Sequence, residues 1–231
     1  MRIKLLFLTC FFPLSLWGQF GVSLSYDQQS ATNWENLISA TDTLGALDQF
    51  GTVSLYYWWR PENLRIEVLP EIAYRRNLGK VPDQPLAART HSIDFNLNTD
   101  IYIFDLEGDC DCPTFSKDGN FFTKGFFLEL SPGVSYRTYQ IESTFQGELQ
   151  GNLMKSNGFL GKLGVGAGLD IGISDLFTIT PWFKNEWHLG ANWENLGTWA
   201  RPPYPELEKS TLSYMRFGLR LGFRPDYKPF R

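Results

Sequence analysis

After residue 18 the chain alternates between apolar and polar side chains over long stretches, the period of a strand with two unlike faces. Such stretches run over 20–27, 50–60, 64–76, 91–104, 125–140, 159–173, 177–191 and 211–223, and no segment of useful length keeps a helical period. The phases separate cleanly. In the last stretch Met215, Phe217, Leu219, Leu221 and Phe223 oppose Arg216, Gly218, Arg220 and Gly222. In the sixth, Leu163, Val165, Ala167, Leu169 and Ile171 oppose Lys162, Gly164, Gly166, Gly168 and Asp170. The fourth sets Ile93, Phe95, Leu97 and Ile101 against Asp94, Asn96, Asn98 and Asp100. The third sets Ile66, Val68 and Ile72 against Arg65, Glu67, Glu71 and Arg75.

A soluble sandwich buries the apolar phase and wets the polar one. A membrane barrel turns the same pattern inside out. Several features favour the barrel. Most stretches, at about 11 to 16 residues, exceed the usual length in soluble sheets and are long enough for a tilted span. The polar phase mixes both charge signs with glycines, which suits the narrow, side-chain-filled lumen of an eight-stranded ring. Connections 61–63 and 174–176 are short, whereas 28–49, 77–90, 141–158 and 192–210 are long. Transmembrane barrels show that asymmetry, with short periplasmic turns and long outer loops.

The expected fold is all-β: an eight-stranded antiparallel up-and-down transmembrane barrel with a polar, side-chain-filled interior. Lipid offers no water to a free sheet edge, so the first and last strands should pair. If the N-terminus starts in the periplasm, an even count of strands returns the C-terminus there too. Pro70, Pro132 and Pro181 fall inside strands, where a closed ring has no edge to hide a missing N–H. Bulges, or a strand break, are expected there.

Composition narrows the function classes. The chain has 231 residues and a formal net charge of -4, without the basic footprint that nucleic acid or an anionic surface requires. Aromatic residues make up 16%, far from a disordered composition. Arg2 and Lys4, the apolar run Leu5 to Leu16 and the small Gly18 form a three-part secretory signal. Residues 1–18 are therefore expected to be a signal peptide, and 19–231 one barrel domain.

The signal segment ending Trp17-Gly18-Gln19 and the eight alternating segments resemble the small outer-membrane β-barrel proteins of Bacteroidetes-type bacteria, with an architecture similar to OmpA- and OmpX-like barrels. The resemblance spans the mature chain and rests on pattern. It implies a fold and an outer-membrane location, with no activity attached.

The first candidate site is the set of inward charges: Arg65, Glu67, Glu71, Arg75, Asp94, Asp100, Glu129, Arg137, Lys162, Asp170, Lys184, Glu186, Arg216 and Arg220. Both signs are present, as a structural ion-pair network needs; a narrow polar conduit is the functional alternative. The second is the 105–124 connection, unusually long for the turn side, with Asp109, Cys110, Asp111 and Cys112 as candidate partner-docking residues. Alternating acids at 105, 107, 109 and 111 could gather a hard cation, but the spacing lacks a full loop signature. No metal or other cofactor is expected.

Asn33-Trp34-Glu35-Asn36-Leu37 recurs as Asn192-Trp193-Glu194-Asn195-Leu196, which would place both tryptophans at the outer interface. Tyr56-Tyr57-Trp58-Trp59 with Trp182 would form the girdle at the other rim. His91 and His188 are the only histidines. Ser92 follows His91, but strand neighbours point to opposite faces. The expected role is a non-enzymatic outer-membrane barrel, structural or binding. Its expected partners are outer-membrane lipid and an envelope complex, reached through 105–124 or the surface loops. A lipid-modifying enzyme and a narrow pore are the alternatives.

Overall fold

The computed structural model describes residues 19–30, 49–59, 65–80, 86–104, 125–145, 148–174, 177–194 and 208–223. The signal segment, Trp34, the 105–124 connection with Asp109, Cys110, Asp111 and Cys112, and the tail after Phe223 lie outside the described residues.

The strands are β1 Gln19–Ser30, β2 Gln49–Trp58, β3 Ile66–Lys80, β4 Leu86–Ile101, β5 Phe126–Phe145, β6 Glu148–Leu169, β7 Ile171–Gly172, β8 Phe177–Asn192 and β9 Lys209–Phe223. Each pairs antiparallel with its chain neighbour, β1 pairs with β9, and β6 reaches β8 directly. β7 continues the line of β6 past Asp170, so nine strands make eight staves of a closed ring. Ladder partners from Gly21 run through Tyr56, Glu71, Asn96, Gly133, Lys162 and His188 to Leu212. Leu212 lies one residue past the Ser213–Ser30 pair, so the path returns to β1 about ten residues further on. That stagger is what a tilted, closed ring requires.

Two ends can be distinguished. At the turn end lie the β2–β3, β4–β5 and β7–β8 connections; at the loop end lie the others. The sheet extends further at the loop end than the sequence pattern suggested. β3 runs to Lys80, β4 starts at Leu86, and β5 and β6 stay paired as far as Phe145 and Glu148. Much of 77–90 and 141–158 is therefore strand, not loop. Polar ladder residues such as Asn77, Thr90, Lys155 and Asn157 carried no apolar phase to announce this, because strands above a membrane need none.

The apolar phase faces out and the polar phase in. Leu24, Leu55, Ile72, Ile93, Val134 and Leu219 are among the many large apolar side chains exposed around the ring. Such a belt is far too extensive for a soluble monomer and is what a barrel presents to lipid. The fold is thus an all-β, eight-stave transmembrane-type barrel. At the turn end the belt is rimmed by aromatic contacts, Phe20 with Tyr57 and Phe177 with Phe223.

Neither a bulge nor a strand break occurs at the prolines, since β3, β5 and β8 run through them. Pro70 pairs in register with Leu97, Pro132 with Leu163 and Pro181 with Leu219. Each interrupts only the ladder on its other side, which resumes in unchanged register, as at Trp59–Val68 beyond Pro70. An antiparallel residue directs its N–H to one neighbour only, so proline costs a single ladder bond. Register shifts fall elsewhere, at Ile141/Glu142, Ser143/Thr144 and His188/Ala191. The last contains Gly190 at φ 76°, a left-handed position suited to glycine in a bulge. Pro181→Thr is accordingly expected to change unfolding free energy by less than about 1 kcal/mol, gaining a donor while freeing the unfolded chain. Urea titration in lipid vesicles would read the change.

Candidate functional site

Strand alternation sends every second side chain of eight staves toward one axis, where they meet across the ring. All fourteen charged residues singled out from the sequence (Arg65, Glu67, Glu71, Arg75, Asp94, Asp100, Glu129, Arg137, Lys162, Asp170, Lys184, Glu186, Arg216 and Arg220) lie inside, none more than 6% exposed. Asp27 joins them, fully buried.

The central storey is built on Glu186 of β8. Arg75 reaches it at 3.1 Å, Arg216 at 3.1 Å, Lys162 at 3.0 Å and His188 at 2.7 Å. The same cations bind a second carboxylate each: Arg75 and Arg216 share Asp27 at 3.0 Å, and Lys162 meets Asp94 at 3.1 Å. Ser135 and Thr52 hydroxyls donate to Asp94 and Asp27. Staves β1, β2, β3, β4, β5, β6, β8 and β9 all contribute, so this storey ties the whole circumference together.

Toward the turn end, Arg220 of β9 crosses the axis to Asp100 of β4 at 2.9 Å and to Glu129 of β5. Lys184 also meets Glu129, at 2.9 Å. Glu71 accepts from Asn96 at 2.8 Å and Asn98 at 3.0 Å. Below these, the Tyr102 hydroxyl bonds both Glu67 and Asp170, Trp58 donates its indole N–H to Glu67, and Thr180 bonds Asp170. Arg65 lies over the Tyr102 ring at 4.8 Å.

Toward the loop end, Arg137 donates to the Tyr214 hydroxyl, which donates to Gln29 at 2.9 Å. Trp193 stacks on Tyr139 with centroids 5.1 Å apart.

Glycines on the inner phase make the space. A methyl group at Gly164 would sit 2.9 Å from the Lys184 stem, and one at Gly222 would sit 3.0 Å from the Trp58 ring. At Gly218 it would enter the Trp182 ring, and at Gly168 the Phe127 ring.

Two expectations about aromatic residues are overturned. Tyr56, Trp58 and Trp182 are buried at 4%, 6% and 6%, inside the barrel and not in a rim girdle; only Tyr57 and Trp59 of that cluster turn outward. Their period-two positions, in phase with Thr52 and Ser54, dictate this. Trp193 is 1% exposed, packed on Tyr139 under the barrel mouth and not at a lipid interface.

Asp94, Glu186 and His188 bring donor atoms within 4.8 Å of one another, the reach of a metal site. The Lys162 ammonium stands between the two carboxylates and takes the place a metal cation would need. His91 lies on the outer surface, bonded through Nδ1 to the Tyr74 hydroxyl at 2.9 Å, while Ser92 points inward and is 3% exposed. Those two side chains are on opposite sides of the wall, so they form no nucleophile–base pair.

No protein-family model matches the chain. No curated protein matches it either. Among solved structures it is similar to Neisserial surface protein A at 10% identity, covering 88% of this chain and 95% of that one, with a TM-score of 0.42. It is similar to Ail, the attachment invasion locus protein of Yersinia pestis, at 12% identity over 90% and 100% of the two chains, TM-score 0.44. A major outer membrane protein from Thermus thermophilus is 10% identical over 89% and 99%, TM-score 0.48. These are likenesses in general architecture alone.

Proposed function

We propose that this protein is a plugged outer-membrane barrel, both termini in the periplasm, that neither conducts nor catalyses and that serves as a rigid anchor for binding at its two ends. The observation that carries this is the Glu186 storey, where three cations and an imidazole converge on one buried carboxylate from different staves. Charges withdrawn from water are tolerated only when paired and hydrogen-bonded, and pairs formed across the axis fill the space through which an ion would pass. A lumen of eight strands is already narrow enough for side chains to fill.

Two surfaces follow as candidate binding sites. One is the sheet that β3, β4, β5 and β6 carry beyond the apolar belt at the loop end. The other is the 105–124 connection at the turn end, with Asp109, Cys110, Asp111 and Cys112, a docking surface for a periplasmic partner in an envelope complex. Deleting 109–118 should release such a partner from detergent-extracted envelopes while the barrel still assembles; retention of every co-purifying protein would remove the periplasmic docking role.

The plug is tested electrically. Planar bilayers holding the purified protein are expected to show no conductance steps. Reproducible single-channel steps would replace the plugged reading with the pore.

A further inference from the structure

Arg137 of β5 stands apart among the inner cations. Arg75, Lys162, Lys184, Arg216 and Arg220 each meet at least one carboxylate. Arg137 is 2% exposed and meets none among the described residues. Its Nη1 donates to the Tyr214 hydroxyl, its Cζ lies 5.1 Å from the centroid of the Tyr214 ring and 5.9 Å from that of Tyr139, and its Nη2 has no hydrogen-bond partner. A guanidinium keeps its proton in a protein, and a buried charge is tolerated only when paired. One phenol and two ring faces offset a fraction of that cost.

The local charge balance points the same way. From the Glu186 storey toward the loop end, Arg75, Arg137, Lys162 and Arg216 stand against Asp27, Asp94 and Glu186. Four cations thus face three carboxylates there, a surplus of one positive charge. Glu67, Asp100 and Asp170 lie on the far side of that storey, toward the turn end.

Room and a second donor adjoin the guanidinium. Ladder pairing across β4, β5 and β6 sets Ser92, Arg137 and Gly158 side by side, all on the inward phase. The Ser92 hydroxyl is buried, at 3%, and has no partner. A methyl group at Gly158 would meet nothing within 4 Å, whereas at Gly164 or Gly168 it would strike a side chain. Open space therefore lies next to one buried cation and one buried hydroxyl, each with an unused donor. Tyr139, the next inward residue of β5, carries Trp193 stacked on it and shields this level from the barrel mouth.

We propose that this recess holds a small monovalent anion of the size of chloride, bound by Arg137 Nη2 and the Ser92 hydroxyl over Gly158. A single negative charge matches the surplus, and hydrogen bonds from a guanidinium to an anion are charge-assisted. The site goes beyond the plugged-barrel reading. It lies on the loop side of the plug and requires neither lipid nor a protein partner.

Chlorine-35 NMR of the full chain refolded in micelles reads bound chloride as excess line broadening. The wild-type barrel is expected to broaden the line more than Arg137→Gln or Gly158→Val, with Ser92→Ala between them. Gly158→Val keeps every charge and places its Cβ in open space, so it should fold; heat-modifiable gel mobility checks that each variant has done so. Equal broadening by the wild type and Gly158→Val overturns the site. Crystals grown in sodium bromide give the independent reading. Anomalous scattering from bromine should place an ion within hydrogen-bond distance of Arg137 Nη2 and Ser92 Oγ. A map with no peak there, or with a water or a loop carboxylate in that place, overturns the assignment.

Discussion

Replacing Glu186 with leucine is expected to destabilise the refolded barrel by about 3–5 kcal/mol, the cost of leaving a buried ion pair with one partner missing. The expected cost lies at the upper end because Glu186 serves Arg75, Lys162, Arg216 and His188 at once. Arg75 and Arg216 would keep Asp27, and Lys162 would keep Asp94. The storey would nevertheless hold three cations against two carboxylates in a space shielded from water. Adding Lys162→Met should therefore recover part of the loss, and a double-mutant cycle should show strong coupling. Reversible urea unfolding in lipid vesicles, followed by tryptophan fluorescence, measures both. A cost below about 1 kcal/mol would mean that water enters the central storey and screens these charges.

The second large effect is on the opposite face of the wall. Leu55→Arg should cost about 2–4 kcal/mol, because a cation near the bilayer midplane loses its hydration. Leu55 is 65% exposed and pairs with Val22 and Ile72, exposed at 40% and 60%, well inside the apolar belt. Gln28→Arg, on the same outward phase near the loop end of β1, should cost only about 0–1 kcal/mol. In a soluble barrel both positions would already meet water, and the two substitutions would differ little. The gradient between them, read in the same vesicles, reports membrane depth independently of the interior network.

Much of this architecture was legible in the sequence because lipid and a closed lumen impose opposite demands on alternate residues. Where both demands act, as along β9 from Met215 to Phe223, period-two alternation identifies the faces unambiguously. The pattern weakened where one demand ended. The upper parts of β5 and β6 stand above the apolar belt, so residues such as Lys155 and Asn157 gave no apolar phase and resembled loop. Asp27 was missed although Ser23 and Ser25 precede it on the polar phase of β1. The aromatic cluster at 56–59 was grouped by composition, when its parity already assigned Tyr56 and Trp58 to the inside with Ser54.

The prolines teach a different lesson. Pro70, Pro132 and Pro181 looked incompatible with a closed ladder, yet each loses pairing on one side only, and register continues past it. A closed ring distributes the loss of a single donor over a long ladder. Trp193 shows the converse, a residue whose place depends on tertiary contact. Its position beside Tyr139, 54 residues away, leaves no trace in local pattern.

The most direct test places a spin label at each position from 212 to 222, one at a time, in a chain whose Cys10, Cys110 and Cys112 have been replaced. In lipid vesicles, labels at 215, 217, 219 and 221 should collide with dissolved oxygen, whereas those at 216, 218 and 220 should be reached poorly by oxygen and by an aqueous nickel chelate. Strong nickel collisions at 216 and 220 would contradict the account, since those arginines would then face bulk water and the apolar row would be the buried core of a soluble sheet.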